Sequence, residues 1–206
     1  MNKSVSSPKT LLFDLGRVLV DYDHQKTLEG LAAVSNMNAD ELRQLTDGEF
    51  GDQLGRGEIG AQDLHRFFMD KAGTTNDFDA YVAGYAAGIQ RNEKALAYAA
   101  SLIERPNVQV GVISNTNEAH AIWLHENLPE LTQFAHVILS NEVGLIKPDL
   151  CIYQLALDTL EISANCALFV DDLAENIDGA KSLGVAGIVH TDWQLTRPAI
   201  EAWLAA

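Results

Sequence analysis

Basic residues are scarce in this chain: 14 Lys and Arg stand against 29 Asp and Glu, for a net charge of −15. A surface of that sign repels a phosphate backbone and an anionic bilayer, which excludes nucleic-acid and membrane-surface binding. It repels a small phosphorylated ligand as well, unless a divalent cation reverses the field locally. Long apolar runs are missing too. None approaches the roughly 18 residues of a membrane-spanning helix. Residues 1–8 are polar and lack the apolar core of a signal peptide. Residues 1–7 are expected to form a flexible tail on a soluble, cytoplasmic protein. Cysteine is nearly absent. Cys151 and Cys166 lie in no CxxC pair and no Cys/His cluster. The expectation is two buried free thiols in a reducing compartment. The six His residues show no ligand spacing, and His120 and His125 are five apart, on different faces of a helix. They read as structural or surface residues.

Hydrophobic residues make up 47% of the 206 residues, an ordinary globular content with enough chain for a sizeable core. The run Thr10-Leu11-Leu12-Phe13 ends in Asp14, and Gly16 follows two residues later. A short apolar run bounded this way reads as a buried strand that delivers Asp14 at its carboxyl end. Val18-Leu19-Val20 extends it as a short hairpin or flap. From about residue 24 to residue 91 no strand pattern appears. Helical patterns cover 25–34, a segment opened by Asn38 as N-cap, 61–72 with Leu64, Phe67 and Phe68 on one face, and 78–89. Glycine-rich connectors at 48–51 and 55–60 separate them. From Asn92 on, strands at 108–113, 137–139, 167–170 and 185–189 alternate with helices at 93–104, 118–127, 152–160, 173–183 and 195–205. That alternation implies βαβ units and a parallel sheet covered on both faces. The expected architecture is α/β: a doubly wound, Rossmann-like core of residues 8–23 and 92–206, with a small helical cap of residues 24–91 inserted.

The strand ends carry the chemistry. Asp14 ends the first strand, Ser114 and Asn115 the second, Lys147 follows the third, and Asp171 and Asp172 end the fourth. In a parallel sheet such ends line one edge, where ligands bind. A carboxylate there can attack phosphorus as a nucleophile. Hydroxyl and amide donors can hold phosphoryl oxygens, and a lysine offers a point charge. Paired aspartates beside a third repel one another unless a hard cation such as Mg²⁺ lies between them.

Four motifs stand in order: Phe13-Asp14-Leu15-Gly16-Arg17-Val18, Val112-Ile113-Ser114-Asn115, Lys147-Pro148-Asp149, and Phe169-Val170-Asp171-Asp172 with Asn176, Ala180 and Leu183-Gly184. On these the chain resembles the haloacid dehalogenase-like phosphatases over nearly its whole length. With Arg56-Gly57-Glu58-Ile59 in the cap, it resembles the branch that contains α-D-glucose-1-phosphate phosphatase. The resemblance implies a Mg²⁺-dependent phosphatase acting on a small phosphorylated metabolite, with a sugar phosphate such as glucose 1-phosphate favoured. It implies that Asp14 is nucleophile and metal ligand, that the carbonyl of residue 16 reaches the metal, and that Asp171 and Asp172 hold the metal, directly or through water. Ser114, Asn115 and Lys147 then bind the phosphoryl group, and Lys147 also orients Asp14. No nucleic-acid or membrane partner is implied, and the assembly is a monomer or weak homodimer.

Two positions depart from the family pattern. Family phosphatases carry an acid two residues after the nucleophile, where this chain has Gly16. An anomeric leaving group needs less acid help; otherwise Asp21, Asp23, Glu49 or Glu58 is a substitute acid. Arg17 replaces the usual Gly or Asn and touches substrate or faces solvent. Two alternatives remain at this level: a haloacid dehalogenase-type hydrolase using Asp14 without metal, and a non-catalytic phosphate- or partner-binding protein on the same scaffold.

Overall fold

Leu11 and Phe13 point to one side of the first strand and Leu12 to the other, and all three are buried. A strand with both faces covered belongs at the centre of a parallel sheet, and the computed structural model places it there. Residues 8–46, 48–73 and 77–206 are described; the tail expected for residues 1–7 lies outside them. The described strands are β1 (Lys9–Phe13), β2 (Val20–Tyr22), β3 (Ile89–Arg91), β4 (Val108–Ser114), β5 (His136–Leu139), β6 (Ala167–Asp171) and β7 (Ala186–Val189). Five of them form an all-parallel sheet in the order β5-β4-β1-β6-β7. The chain winds outward from β1 on one side, then returns to wind outward on the other. This is the doubly wound topology, with its switch point at β1.

Helices cover both faces. α1 (His24–Ser35), α2 (Ala39–Thr46), α3 (Gly48–Gly55), α4 (Ala61–Ala72) and α5 (Phe78–Tyr85) come first. α6 (Glu93–Ile103), α7 (Glu118–Asn127), α8 (Ser140–Val143), α9 (Leu150–Thr159), α10 (Ala174–Ser182) and α11 (Trp193–Ala205) follow. Leu11, Phe13, Val112 and Val170 pack with Leu96 and Leu102 of α6, Leu124 of α7 and Ile200 of α11. Leu12, Ile113 and Phe169 pack on the opposite face with Ile152 of α9 and Ile177 of α10.

α1 to α5 enclose a separate core of Leu28, Leu31, Leu42, Leu54, Leu64, Phe68, Tyr81 and Tyr85. Asn38 caps α2 by accepting from the Asp40 and Glu41 N–H groups, and Glu41 accepts from the Asn38 N–H in return. α1 crosses α5 at Gly30 and Gly84. A Cβ on Gly30 would collide with the Gly84 carbonyl oxygen, and one on Gly84 would lie 2.8 Å from the Gly30 carbonyl oxygen. This helical unit meets the sheet domain through α7. The Ala61 N–H at the start of α4 donates to Glu118 Oε2 (2.6 Å), and Ala119 joins the helical core.

The structure corrects several expectations. A strand does lie inside 24–91: β3 pairs antiparallel with β2. Three residues are too few for alternation to show. The glycine-rich stretch 48–51 belongs to α3, because burial of Leu54 against the helical core outweighs the low propensity of Gly. Phe67 is 38% exposed and so does not share the buried face of Leu64 and Phe68. The strand expected at 137–139 runs directly into a short helix, α8, opened by Ser140. Cys151 is exposed and Cys166 half-buried, both free, so neither thiol is a core residue.

The glycine crossing sets a test. Gly30→Ala forces α1 away from α5 and is expected to destabilise the protein by about 1–3 kcal/mol. Thermal unfolding should register this as a Tm drop of roughly 2–4 °C per kcal/mol; an unchanged Tm would show slack at the crossing.

Candidate active site

Lys147 is the centre of the site. Its side chain is 1% exposed, under the carboxyl edge of the sheet. Its ammonium has three N–H bonds. They reach Asp14 Oδ1 at 2.8 Å, Asp171 Oδ2 at 2.7 Å and the Ile113 carbonyl at 3.0 Å. Those partners end β1, β6 and β4, so one cation ties three strand ends together. The ammonium also lies 5.3 Å from the Phe169 ring centre. Asn115 grips the Lys147 backbone from both sides: the Lys147 N–H donates to Asn115 Oδ1 (2.8 Å), and Asn115 Nδ2 donates to the Lys147 carbonyl (2.9 Å).

Asp171 is fully buried. Its Oδ1 accepts from the Leu173 N–H (2.8 Å) and Asn176 Nδ2 (2.9 Å), and its Oδ2 from Lys147 and Asn176 Nδ2 (3.1 Å). Asp14 is 8% exposed and hangs its N–H on the Val170 carbonyl (2.9 Å). Asp172 is partly exposed and faces Arg17, whose Nη1 is 3.5 Å from Asp172 Oδ2. Arg17 itself is 55% exposed and takes a left-handed backbone, φ 59°. Oxygens of Asp14, Asp171 and Asp172 all lie within 4.8 Å of one another. Three carboxylates against one buried ammonium make a hard-oxygen donor set of the kind Mg²⁺ takes.

Burial raises the Asp14 carboxyl, Lys147 pulls it back, Asp171 raises it again, and the balance lies at about 6. For Lys147, burial disfavours the ammonium, but Asp14 and Asp171 reverse that and hold it above the usual lysine value. Lys147 is therefore a fixed cation.

Above the site is a cavity of about 710 Å³, lined by Gly16, Ser114, Asn115 and Lys147 below and by Tyr22, His24, Thr27, Leu54, Arg56 and Tyr85 above. A side chain at Gly16 would meet nothing within 4 Å, so the position opens onto free space. Ser114 is 3% exposed at the end of β4. The loop after it is braced by Ser140, whose Oγ donates to the Thr116 carbonyl (3.0 Å) and accepts from the Thr116 N–H (2.9 Å). The proposed substitute acids do not line the cavity: Asp21 accepts from Asn92 Nδ2 (2.9 Å), Asp23 caps α1, and Glu49 and Glu58 are exposed.

Thus the structure brings Asp14, Asp171, Asp172, Lys147 and Ser114 to one edge, with Gly16 on the rim. It engages Asn115 with the Lys147 backbone and Arg17 with Asp172. Asn176 and Ser140, which support the site, carry no sequence signal beyond their places in the motif and after β5. His24 and Thr27 escape sequence reading because they reach the cavity from the first turn of α1, where polar residues are commonplace.

The site and its topology define the class: a doubly wound α/β enzyme with its chemistry at the carboxyl edge of the sheet. A family model described as a haloacid dehalogenase-like hydrolase matches residues 8–184, and the chain belongs to that family. It is 26% identical over 188 residues to sesquiterpene phosphatase astK of Aspergillus oryzae, spanning 89% of this chain and 90% of that protein. It is 28% identical over 197 residues to a phosphoglycolate phosphatase of Rhodospirillum rubrum, spanning 88% of this chain and 79% of that protein. In fold it is similar to a haloacid dehalogenase-family enzyme of Bacteroides thetaiotaomicron solved with magnesium and inorganic phosphate. There the TM-score is 0.77 at 24% identity, over 90% of this chain and 97% of the other.

Two measurements probe this architecture. Lys147→Met leaves two buried carboxylates uncompensated and is expected to cost about 3–5 kcal/mol in denaturant unfolding without metal. The same change in an Asp14→Asn background should cost measurably less; equal costs would mean that the pair is not coupled. His120 supplies a pH test. Its ring is buried at the seam between α7 and α5, where Nε2–H donates to the Tyr85 carbonyl (3.1 Å). Burial pushes it down from 6.5 to about 4, against the Tyr85 bond. The unfolded chain therefore binds a proton that the folded chain refuses, so this contribution is full above pH 6.5 and lost as pH falls toward 4. The stability difference between wild type and His120→Gln should shrink across that window and stay flat above it.

Proposed function

We propose that this hydrolase is a Mg²⁺-dependent phosphatase of small phosphorylated metabolites, with a sugar phosphate such as glucose 1-phosphate favoured. In this reading residues 24–91 act as the cap and residues 8–23 and 92–206 as the catalytic core. The observation that carries it is the buried Asp14–Lys147–Asp171 group with Asp172 beside it, joined to the cavity by Lys147, which lines it. The phosphatase relatives and the magnesium- and phosphate-bound fold neighbour support it.

Lys147 spends its three donors on protein acceptors. Its proposed role is therefore to hold Asp14 by Oδ1 and to neutralise the incoming phosphate through space, leaving Oδ2 to attack phosphorus in line. The P–O bond to the leaving group breaks, giving an aspartyl phosphate and an alkoxide that takes its proton from solvent, and water then hydrolyses the acyl phosphate, releasing inorganic phosphate and regenerating Asp14. Ser114 and the backbone after β4, braced by Ser140, hold the phosphoryl oxygens. Asp14, the Gly16 carbonyl, Asp171 and Asp172 would hold Mg²⁺. Asp171 already takes four hydrogen bonds on two oxygens, whereas Asp172 has only a long ion pair to Arg17. Asp172 therefore has the freer carboxylate, and it and Asp14 would hold the metal more readily than Asp171. When bound, Mg²⁺ supplies charge stabilisation at the phosphoryl oxygens. Arg17, 55% exposed beside Asp172, is placed to meet substrate.

Gly16 is the observation that favours a metal-free dehalogenase as second reading, because halide leaves without a proton. Turnover of p-nitrophenyl phosphate with Mg²⁺, its loss in chelator and its return on Mg²⁺ addition are expected. Full activity in chelator would contradict the metal-dependent reading. Asp14→Asn should lower kcat by at least about 10³-fold; retained turnover would remove Asp14 from the chemistry.

A further inference from the structure

The second half of the proposed reaction needs a proton acceptor. Water attacks the aspartyl phosphate in line, from the side opposite Asp14 that the leaving group has just vacated, and that side is the cavity. Position 16 has no side chain to take the proton, and free space stands there. The acceptor must come from the other groups that line the cavity.

Most of these are committed or closed off. Lys147 is a fixed cation on Asp14 and Asp171. Both ring nitrogens of His120 are occupied, Nε2–H on the Tyr85 carbonyl (3.1 Å) and Nδ1 beside Asn117 Nδ2 (3.3 Å). His24 Nδ1 lies 3.2 Å from Tyr22 Oη, and its Nε2 is fully buried. Burial holds the Tyr85 hydroxyl above its usual range, so it stays protonated. The carboxylates that line the cavity are Asp52, Asp149 and Glu175. Asp52 and Asp149 flank Arg56 at 4.0 and 3.9 Å. Glu175 is exposed and, among the described residues, has no hydrogen-bond or ion-pair partner.

We infer that Glu175 is the general base that activates water for hydrolysis of the aspartyl phosphate. The inference rests on the phosphatase reading and adds a catalytic residue to it. Glu175 stands in the first turn of α10, just past the Asp171-Asp172 strand end. The next residue, Asn176, donates to both oxygens of Asp171 (2.9 and 3.1 Å), and its carbonyl accepts from Tyr153 Oη (2.8 Å). The turn that carries Glu175 is thereby tied to the buried group that holds the nucleophile. Burial, and then the charges of Asp171, Asp14, Asp149 and Glu175, raise the Tyr153 hydroxyl above its usual value, which puts Glu175 and Asp14 in one neighbourhood. The step balances. The water oxygen bonds to phosphorus as one of its O–H bonds breaks, and the proton goes to a Glu175 oxygen. The P–O bond to Asp14 breaks with its electron pair on the Asp14 carboxylate, which leaves without needing an acid. Inorganic phosphate departs and Glu175 returns its proton to solvent. This role is the same whichever alcohol left in the first step.

The test is pre-steady-state turnover of p-nitrophenyl phosphate by the full chain with Mg²⁺. p-Nitrophenolate leaves readily, so the second step limits turnover once its base is gone. Glu175→Gln keeps the shape of the side chain and removes the base. It is expected to lower kcat by about 10²-fold and KM by the same factor, with kcat/KM unchanged, because kcat/KM reports the first step alone. The unchanged kcat/KM also shows that the variant is folded. A burst of about one p-nitrophenolate per active site should precede the slow phase. Acid-quenched protein should then carry a phosphoryl group by intact mass. Glu175→Asp should recover part of kcat, and neither Asp52→Asn nor Asp149→Asn should accumulate phosphoenzyme. An unchanged kcat in Glu175→Gln, a parallel loss of kcat and kcat/KM without a burst, or accumulation in an Asp52 or Asp149 variant instead would overturn this inference while leaving the phosphatase reading standing. No turnover by wild type of any phosphate, p-nitrophenyl phosphate included, would overturn both.

Discussion

The Lys147 ammonium is the constraint on which the rest of the site depends. Buried without compensation it would lose its proton or unfold its surroundings. It stays charged because β1 and β6 each end in a carboxylate and β4 turns a carbonyl toward it. The sheet order makes that convergence possible: β1 lies between β4 and β6, so their carboxyl ends are adjacent. Asn115, at the end of β4, then fixes the Lys147 backbone. The buried charges and the strand register are thus one arrangement, and a one-residue slip of β1 would carry Asp14 to the other face.

The core of this arrangement is legible in the sequence, for a physical reason. Strands buried on both faces must be short continuous apolar runs, so a polar residue at their end stands out. Asp14, Ser114 and Asp171 are visible in that way. The paired aspartates are legible through their repulsion. What is not legible depends on contacts between distant elements. That the Asn115 side chain is spent on the Lys147 backbone shows only in the structure. Gly48 to Gly51 look like a connector until Leu54 is seen packed in the helical core. β3 is too short to show a period, and only its pairing with β2 makes it a strand.

The helical unit has a different logic. Its core is built mostly from α1 to α5, with Ala119 and Ile122 of α7 packed into it. Directed contacts add to this: Glu118 on the start of α4, His120 on the end of α5, and Arg56 near Asp149. The ribbon of β2 and β3 links the two, latched by Asn92 on Asp21. A substrate enters a space whose floor is set by strand ends and whose roof is set by α1 and α3. Floor and roof are built from different packing units. The floor carries the reaction chemistry and the roof can vary without disturbing it.

That division bears on Gly16. Free space stands where a side chain at this position would project, and none of the exposed acids considered as substitutes lines the cavity. Position 16 and the four acids Asp21, Asp23, Glu49 and Glu58 therefore place no carboxylic acid in the cavity beside Asp14, where the lining carboxylates are Asp52, Asp149 and Glu175. A leaving group that departs with less proton assistance removes the need. A sugar bonded to phosphate through its anomeric oxygen is such a group, because the ring oxygen stabilises the departing charge.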